Sequence, residues 1–163
     1  LGPQPRRAYD TNLDVTDGKT KQGFTYAEFA LSSPPSDKGT FRVVKVKEIK
    51  QKDAQELCKG EGGNLASIHS AQALNALHDI LGSGVIGWTT DVPTVWIGLY
   101  SDGAGKPLKW YDGWPVDFKK LPFDFPQSSQ AIEGALYIAA AYHGAAYFYD
   151  SYFTMDTVLC KLR

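Results

Sequence analysis

Cysteine is scarce in this chain: among 163 residues there are two, Cys58 and Cys160. Two thiols cannot by themselves build the usual four-ligand zinc site. Their spacing reads equally as one long bridge or as two unrelated buried thiols. Bridged, they would close a loop of about 100 residues, which chain-entropy arguments value at roughly 4.7 kcal/mol. An excess of charge of one sign is also missing. Basic residues number 17 and acidic ones 18, for a formal net charge of -1. With no basic block, neither nucleic acid nor an anionic membrane is expected as a main partner.

No apolar run approaches the roughly 18 residues of a membrane helix, so no membrane span is expected. Nor does a charged-then-apolar leader open the chain at Leu1, as expected of a mature secreted form or of a trimmed one. Catalytic signatures are equally sparse. The histidines His69, His78 and His143 lack metalloprotease spacing and read as structural or solvated. His78 is placed on the polar side of a helix and His143 at a turn tip. No Ser/His/Asp or Cys/His set can be argued and no carboxylate pair stands out. No catalytic residue is therefore assigned, and the chain is not expected to be an enzyme.

What is present is an ordinary globular composition, 43% hydrophobic and 21% charged, at a length suited to one domain with a sizeable core. The pattern changes near residue 40. Residues 1–40 read as an N-terminal extension: a polar lead-in, one candidate strand over 24–29, and a linker over 32–37. Residues 41–163 are more regular. A strand over 41–47 precedes a helix over 53–59, on which Ala54, Leu57 and Cys58 share a face. A short strand over 64–68 follows, and Ser70 caps a second helix carrying Ala71, Leu74, Leu77 and Leu81. Strands are then expected over 96–100, over 135–142 and 145–148 as a hairpin, and over 157–162. That order predicts an α+β domain.

Two neighbouring motifs are the most informative. Trp96-Ile97-Gly98-Leu99 is a short apolar run interrupted by glycine, which suits a buried strand that another backbone passes closely. Trp110-Tyr111-Asp112-Gly113-Trp114-Pro115 mixes aromatics with turn formers, which suits a surface loop of fixed shape.

Taken in order, five segments carry a resemblance. They are the helix with Cys58, Gly63-Asn64-Leu65-Ala66-Ser67-Ile68, Trp96 to Leu99, the run from Trp110 to Phe118, and Val158-Leu159-Cys160. Over roughly 41–163 the chain resembles the C-type lectin-like domain, in the manner of secreted invertebrate, nematode-type members. The resemblance implies two helices packed on antiparallel sheets with a long loop region. It also implies a Cys58–Cys160 disulfide, and hence a secreted, extracellular setting. The family's second disulfide falls near Ala135 and Phe153 and is absent from this sequence.

Sugar-binding members of the family hold calcium, which takes about six to eight oxygen ligands. At the family's proline-centred triplet this chain has Phe125-Pro126-Gln127, in which Phe125 cannot ligate and Gln127 offers one carbonyl. Glu133 matches a downstream acidic ligand, and Phe148-Tyr149-Asp150 retains Asp150 but replaces the family's amide with Tyr149. Gln127, Glu133 and Asp150 are thus weak metal candidates, and no cofactor is expected beyond weakly held calcium. Among the aromatics, Trp110 and Phe118 match core positions, while Trp114 and Phe125 replace smaller or polar residues. The expected ligand-binding set is Trp114, Phe125, Gln127, Glu133, Tyr149 and Asp150. The expected function is a secreted module that recognises a glycan or an extracellular protein without an intact calcium site. The alternatives are a calcium-dependent lectin with a weak, non-standard site and, in another class, an extracellular hydrolase. No oligomeric state is assigned.

Overall fold

The structure is a computed structural model that describes residues 15–82, 94–103, 106–117, 123–124, 131–137, 146–150 and 154–163, with 123–124, 131–137 and 146–150 described as backbone. The elements in chain order are β1 (Thr16–Lys19), β2 (Thr25–Leu31), β3 (Gly39–Ile49), α1 (Gln51–Gly60), β4 (Gly63–Leu65) and α2 (Ala71–Gly82). Then come β5 (Thr94–Ser101), β6 (Leu108–Trp110), β7 (Phe123–Asp124), β8 (Ala131–Tyr137), β9 (Ala146–Asp150) and β10 (Met155–Leu162). The strands form one sheet in the order β1-β2-β3-β10-β5-β8-β9-β7, with β4 added to β10 and β6 to β5.

The sheet is mixed, which corrects the expectation of antiparallel sheets. Val158 of β10 pairs in parallel with Trp96 of β5, and β7 runs parallel to β9. A tight hairpin forces antiparallel pairing, but these strands are joined through intervening elements that free them to align either way. The segment before residue 41 also contributes more than the one strand expected. β2 pairs with β3 from Thr25↔Lys45 to Leu31↔Gly39, and β1 pairs with β2 outside it. β1 is Thr-Asp-Gly-Lys, whose Asp and Gly are poor strand formers, so the sequence alone gives no signal for it.

The helix α1 buries Ala54 and Cys58, one turn apart, and carries Asp53 in its first turn and Lys59 in its last, complementing the helix dipole. Two of its buried residues are polar, and each is matched to backbone. Gln51 donates from Nε2 to the carbonyls of Ile97 and Leu99 at 2.8 and 2.9 Å. Gln55 accepts the Leu65 N–H at 2.8 Å and donates to Asn64 Oδ1 at 2.8 Å. Arg42 joins β2, β3 and the end of α1 by pairing with Glu28 and Glu61, each at 2.6 Å, below the ring of Tyr26.

In α2 the Ser70 hydroxyl caps the first turn by accepting the Ala73 N–H at 3.1 Å. His78 is buried rather than on a solvated side, at the edge of a broad covered face that also buries Ala73, Leu74, Ala76, Leu77, Ile80 and Leu81, while Gln72 and Asn75 face solvent. Among the described residues no helix is long and apolar enough to cross a membrane.

Two apolar clusters form the core. One gathers Phe29, Phe41, Leu77, Ile97, Leu99 and Trp110. The other surrounds the Cys58–Cys160 disulfide with Val44, Leu65, Trp96 and Val158. Gly98 lies where the backbone of Leu65 crosses β5: a Cβ at that position would stand 2.8 Å from the Leu65 carbonyl oxygen. Its N–H donates to Ala66 O at 2.9 Å, and its carbonyl accepts the Tyr111 N–H at 3.0 Å. The close approach that a glycine in this run implies is therefore present, and it leads directly into the aromatic turn.

Candidate functional site

At the end of β6 the chain turns sharply. The Gly113 N–H donates to Trp110 O at 3.0 Å, and Gly113 has φ +83°, a conformation that favours glycine. Asp112 uses both carboxylate oxygens here. Its Oδ1 accepts the Trp114 N–H at 2.9 Å, which fixes the turn from within. Its Oδ2 accepts the Ser67 hydroxyl, which ties the turn to the segment between β4 and α2. Trp110 is buried, but Trp114 is 64% exposed, the only large hydrophobic side chain so placed among the described residues.

Beneath Trp114 lies His69, whose side chain is 3% exposed. Its Nε2 is 3.0 Å from Ser67 Oγ and its Nδ1 is 2.9 Å from Asp117 Oδ1. The imidazole ring also contacts two indoles, with centroids 5.9 Å from both Trp110 and Trp114. The hydrogen bond from His69, assisted by its charge, holds the Asp117 carboxyl below the usual aspartate range. From the segment before β3, buried Asp37 accepts the His69 backbone N–H at 2.8 Å and the Ser70 hydroxyl at 2.7 Å.

Alongside the turn, Tyr100 and Tyr111 stack with centroids 4.1 Å apart. They line an open depression of about 350 Å³ together with Lys109, Trp114 and Val116. Asp102 pairs with Lys109 at 2.5 Å and holds its ammonium above the usual lysine range. Strand register places further backbone positions in line with Tyr100. Lys109 pairs with Tyr100, Tyr100 with Glu133, and Glu133 with Tyr149, so four strands contribute one continuous row of positions.

Of the expected ligand-binding residues, Trp114 stands at the tip of the turn, and Glu133 and Tyr149 fall in that row. Asp150 sits next along β9, opposite Ala131. Phe125, Gln127 and Phe118 lie outside the described residues. Sequence reasoning did not single out Tyr100, Tyr111, Ser67, Asp112 or Asp117 as site residues; it read His69 as structural or solvated, and the ring is buried and hydrogen-bonded. The turn signature Trp-Tyr-Asp-Gly could have pointed to Asp112, but nothing in the sequence joins His69 to Asp117.

Contrary to the sequence reading, a Ser/His/Asp set does assemble, in the order Ser67, His69 and Asp117. Its spacing is that of a hydrolytic relay, but its wiring is not. Ser67 is 1% exposed and gives its proton to Asp112. The hydroxyl is buried, and its hydrogen is committed to Asp112 rather than to the His69 ring, as a hydrolytic relay would need. The set is a structural clasp.

A mixed sheet flanked by two helices, presenting an exposed aromatic on a clasped turn, defines a recognition module rather than a reaction centre. The chain belongs to the C-type lectin family: residues 47–145 match the model of the lectin C-type domain. Domains of this family are non-enzymatic recognition modules for carbohydrate or protein ligands. The chain is similar to mouse secretory phospholipase A2 receptor, with 35% identity over 65 residues; the match spans 40% of this chain and 4% of the receptor. In fold it is similar to CEL-IV, with TM-score 0.62 and 21% identity over 81% of this chain and 94% of that one. It is also similar to a calcium-independent type II antifreeze protein, with TM-score 0.58 and 21% identity over 79% of this chain and 93% of that one.

Proposed function

We propose that this domain is an extracellular recognition module that binds a glycan by stacking a sugar ring on Trp114, without calcium held at the family's triplet. The observation that carries this reading is the 64% exposure of Trp114 on a turn that Asp112 fixes with both carboxylate oxygens. An aromatic face held outward by its surroundings loses little conformational freedom on binding. Sugar rings offer it an apolar face, and the neighbouring Tyr100, Tyr111 and Lys109 supply polar groups for hydroxyls.

The donor set does not fit calcium of the family type. Phe125 brings no oxygen to the triplet, and Tyr149 brings a phenol where an amide ligates, against a need for about six to eight oxygens. A solved relative in fold is itself described as calcium-independent, so the scaffold does not demand the ion. The Cys58–Cys160 disulfide supports an oxidising, extracellular setting.

A glycan array, run in calcium and again in chelator, tests the proposal. The same signals are expected in both buffers, and Trp114→Ala should lower them on the order of tenfold to thirtyfold. Loss of signal in chelator would establish a calcium-dependent lectin instead. A silent array alongside specific capture of a protein partner would retire the sugar reading.

A further inference from the structure

We infer that Asp102 sets the charge preference of the depression beside Trp114: by holding the Lys109 ammonium it makes the site one for neutral saccharides and turns away those that carry carboxylate or sulfate groups. That preference rests on the glycan reading above. Strand geometry brings the residues together. β5 and β6 are antiparallel, with Tyr100 opposite Lys109 and Ser101 opposite Leu108. Side chains directly across such a pair share a face, so Tyr100 and Lys109 lie on one side of the hairpin. Tyr111 joins them by stacking on Tyr100, and Asp102 joins them by pairing with Lys109. The backbone around Asp102 is held on both sides. The Ser101 hydroxyl donates to the Gly103 carbonyl at 2.6 Å and accepts the Gly103 N–H at 3.2 Å.

Among the described residues, Lys109 is the one charged side chain that lines the depression; the rest of the lining is aromatic, aliphatic, proline or glycine. Alone, its ammonium would draw anions. Instead Asp102 Oδ2 accepts a hydrogen bond from it at 2.5 Å, with both side chains about half exposed. An ammonium carries three donors, so two remain for the lone pairs of sugar hydroxyls. A ligand carboxylate or sulfate at the same place would meet Lys109 and Asp102 together, gaining one charge and facing a like one. The bordering turns add to that repulsion. Over 102–106 and 112–117, Asp102, Asp112 and Asp117 stand against Lys106 alone.

A neutral ring meets no such cost. Its apolar face can stack on the exposed Trp114 indole while its hydroxyls accept from Lys109. Because the Asp102–Lys109 pair is open to solvent, its influence on a ligand is one of charge and is screened by salt.

The test is an array of β-linked oligosaccharides of glucose, galactose and N-acetylglucosamine, each beside its sulfated and carboxylated counterparts, read with the full chain at neutral pH. The parent protein should favour the neutral glycans by about fivefold, the weight of one unit charge a few ångströms away in water. Asp102→Asn keeps an acceptor for Lys109 but removes the charge, so the acidic signals should rise about fivefold relative to the neutral ones. Asp102→Glu should keep the parent preference, and Lys109→Gln added to Asp102→Asn should cancel the gain. Raising salt from about 50 to about 500 mM should narrow the parent's preference, which a purely steric exclusion would leave unchanged. That arm needs no variant, so it decides the matter if Asp102→Asn fails to fold. Acidic glycans bound by the parent as well as neutral ones, with signals that still fall in Trp114→Ala, would overturn the role of Asp102 and leave the glycan reading standing. A preference untouched by Asp102→Asn in the folded protein would do the same. An array silent for the parent and for Asp102→Asn would remove the glycan reading, and the charge preference with it.

Discussion

Around the Cys58–Cys160 bond, Val44, Leu65, Trp96 and Val158 are fully buried and the chain is crosslinked across 102 residues. At the Trp114 turn the arrangement is the opposite: an indole stands in solvent above a line of hydrogen bonds through Asp112, Ser67, His69 and Asp117. Packing needs no particular protonation state, whereas each bond in that line needs its proton in one place. The contrast follows from what each region must do. A core side chain is fixed by the atoms that surround it. An exposed aromatic has nothing packed above it, so its backbone is held from below by directional polar ties.

The largest effect that probes this contrast comes from the crosslink. Replacing both Cys58 and Cys160 by Ser should lower stability by about 2–5 kcal/mol, read from urea unfolding. The comparison predicts that the folded fraction keeps its native Trp114 indole signal, and a shifted signal would show that the turn leans on the crosslinked side. Next in size is Gln51→Leu, which preserves bulk but strips the donors from the Ile97 and Leu99 carbonyls. Roughly 2 kcal/mol is expected on urea unfolding, because buried carbonyls left unpaired carry their full desolvation cost. A near-neutral result would mean that β5 can find other donors.

How legible each region was in the sequence follows the same division. Apolar spacing revealed α2, and the glycine inside Trp96 to Leu99 revealed that another backbone passes closely, since both are local patterns; that the crossing segment is Leu65 comes from the structure. Polar ties are not local. Ser67 and His69 lie 45 or more residues from Asp112 and Asp117, and no periodicity joins them. Asp37 fell within what reads as a linker, although it is fully buried and accepts hydrogen bonds from Ser36, His69 and Ser70. β1 escaped for a related reason, because its pairing with β2 overrides the weak strand preference of Asp17 and Gly18. The exposure of Trp114 was legible because a bulky residue stands there in place of a smaller or polar one of the family pattern.

A smaller change separates the two ties of the turn. Ser67→Ala removes the donor to Asp112 Oδ2 while leaving the Trp114 N–H bond to Oδ1 in place. Asp112 is half-buried, so water replaces part of what is lost, and about 1 kcal/mol is expected. Amide exchange is the discriminating measurement: the Trp114 N–H should exchange faster, while amides of β3 and β10 should slow or quicken only with global stability. Uniform acceleration would mean that the turn and the core open as one unit.

The smallest effect belongs to Asp117, whose side chain is 56% exposed. Its carboxyl is held below the ordinary aspartate value of 3.8, first by the His69 hydrogen bond. The folded state therefore keeps the charge at pH values where the unfolded chain has begun to take up a proton. The resulting stability is complete above the ordinary value and is lost as pH falls through the lowered one. Asp117→Asn abolishes that contribution, so thermal melts should show a shallower loss of stability between pH 4 and pH 2 than the parent chain shows. Near pH 7 the two should differ by less than about 0.5 kcal/mol, as expected of a surface substitution. An acid limb identical to the parent's would place the grip on the turn with Asp112 and Ser67 alone, and the contrast between the two regions would then rest on a single tie.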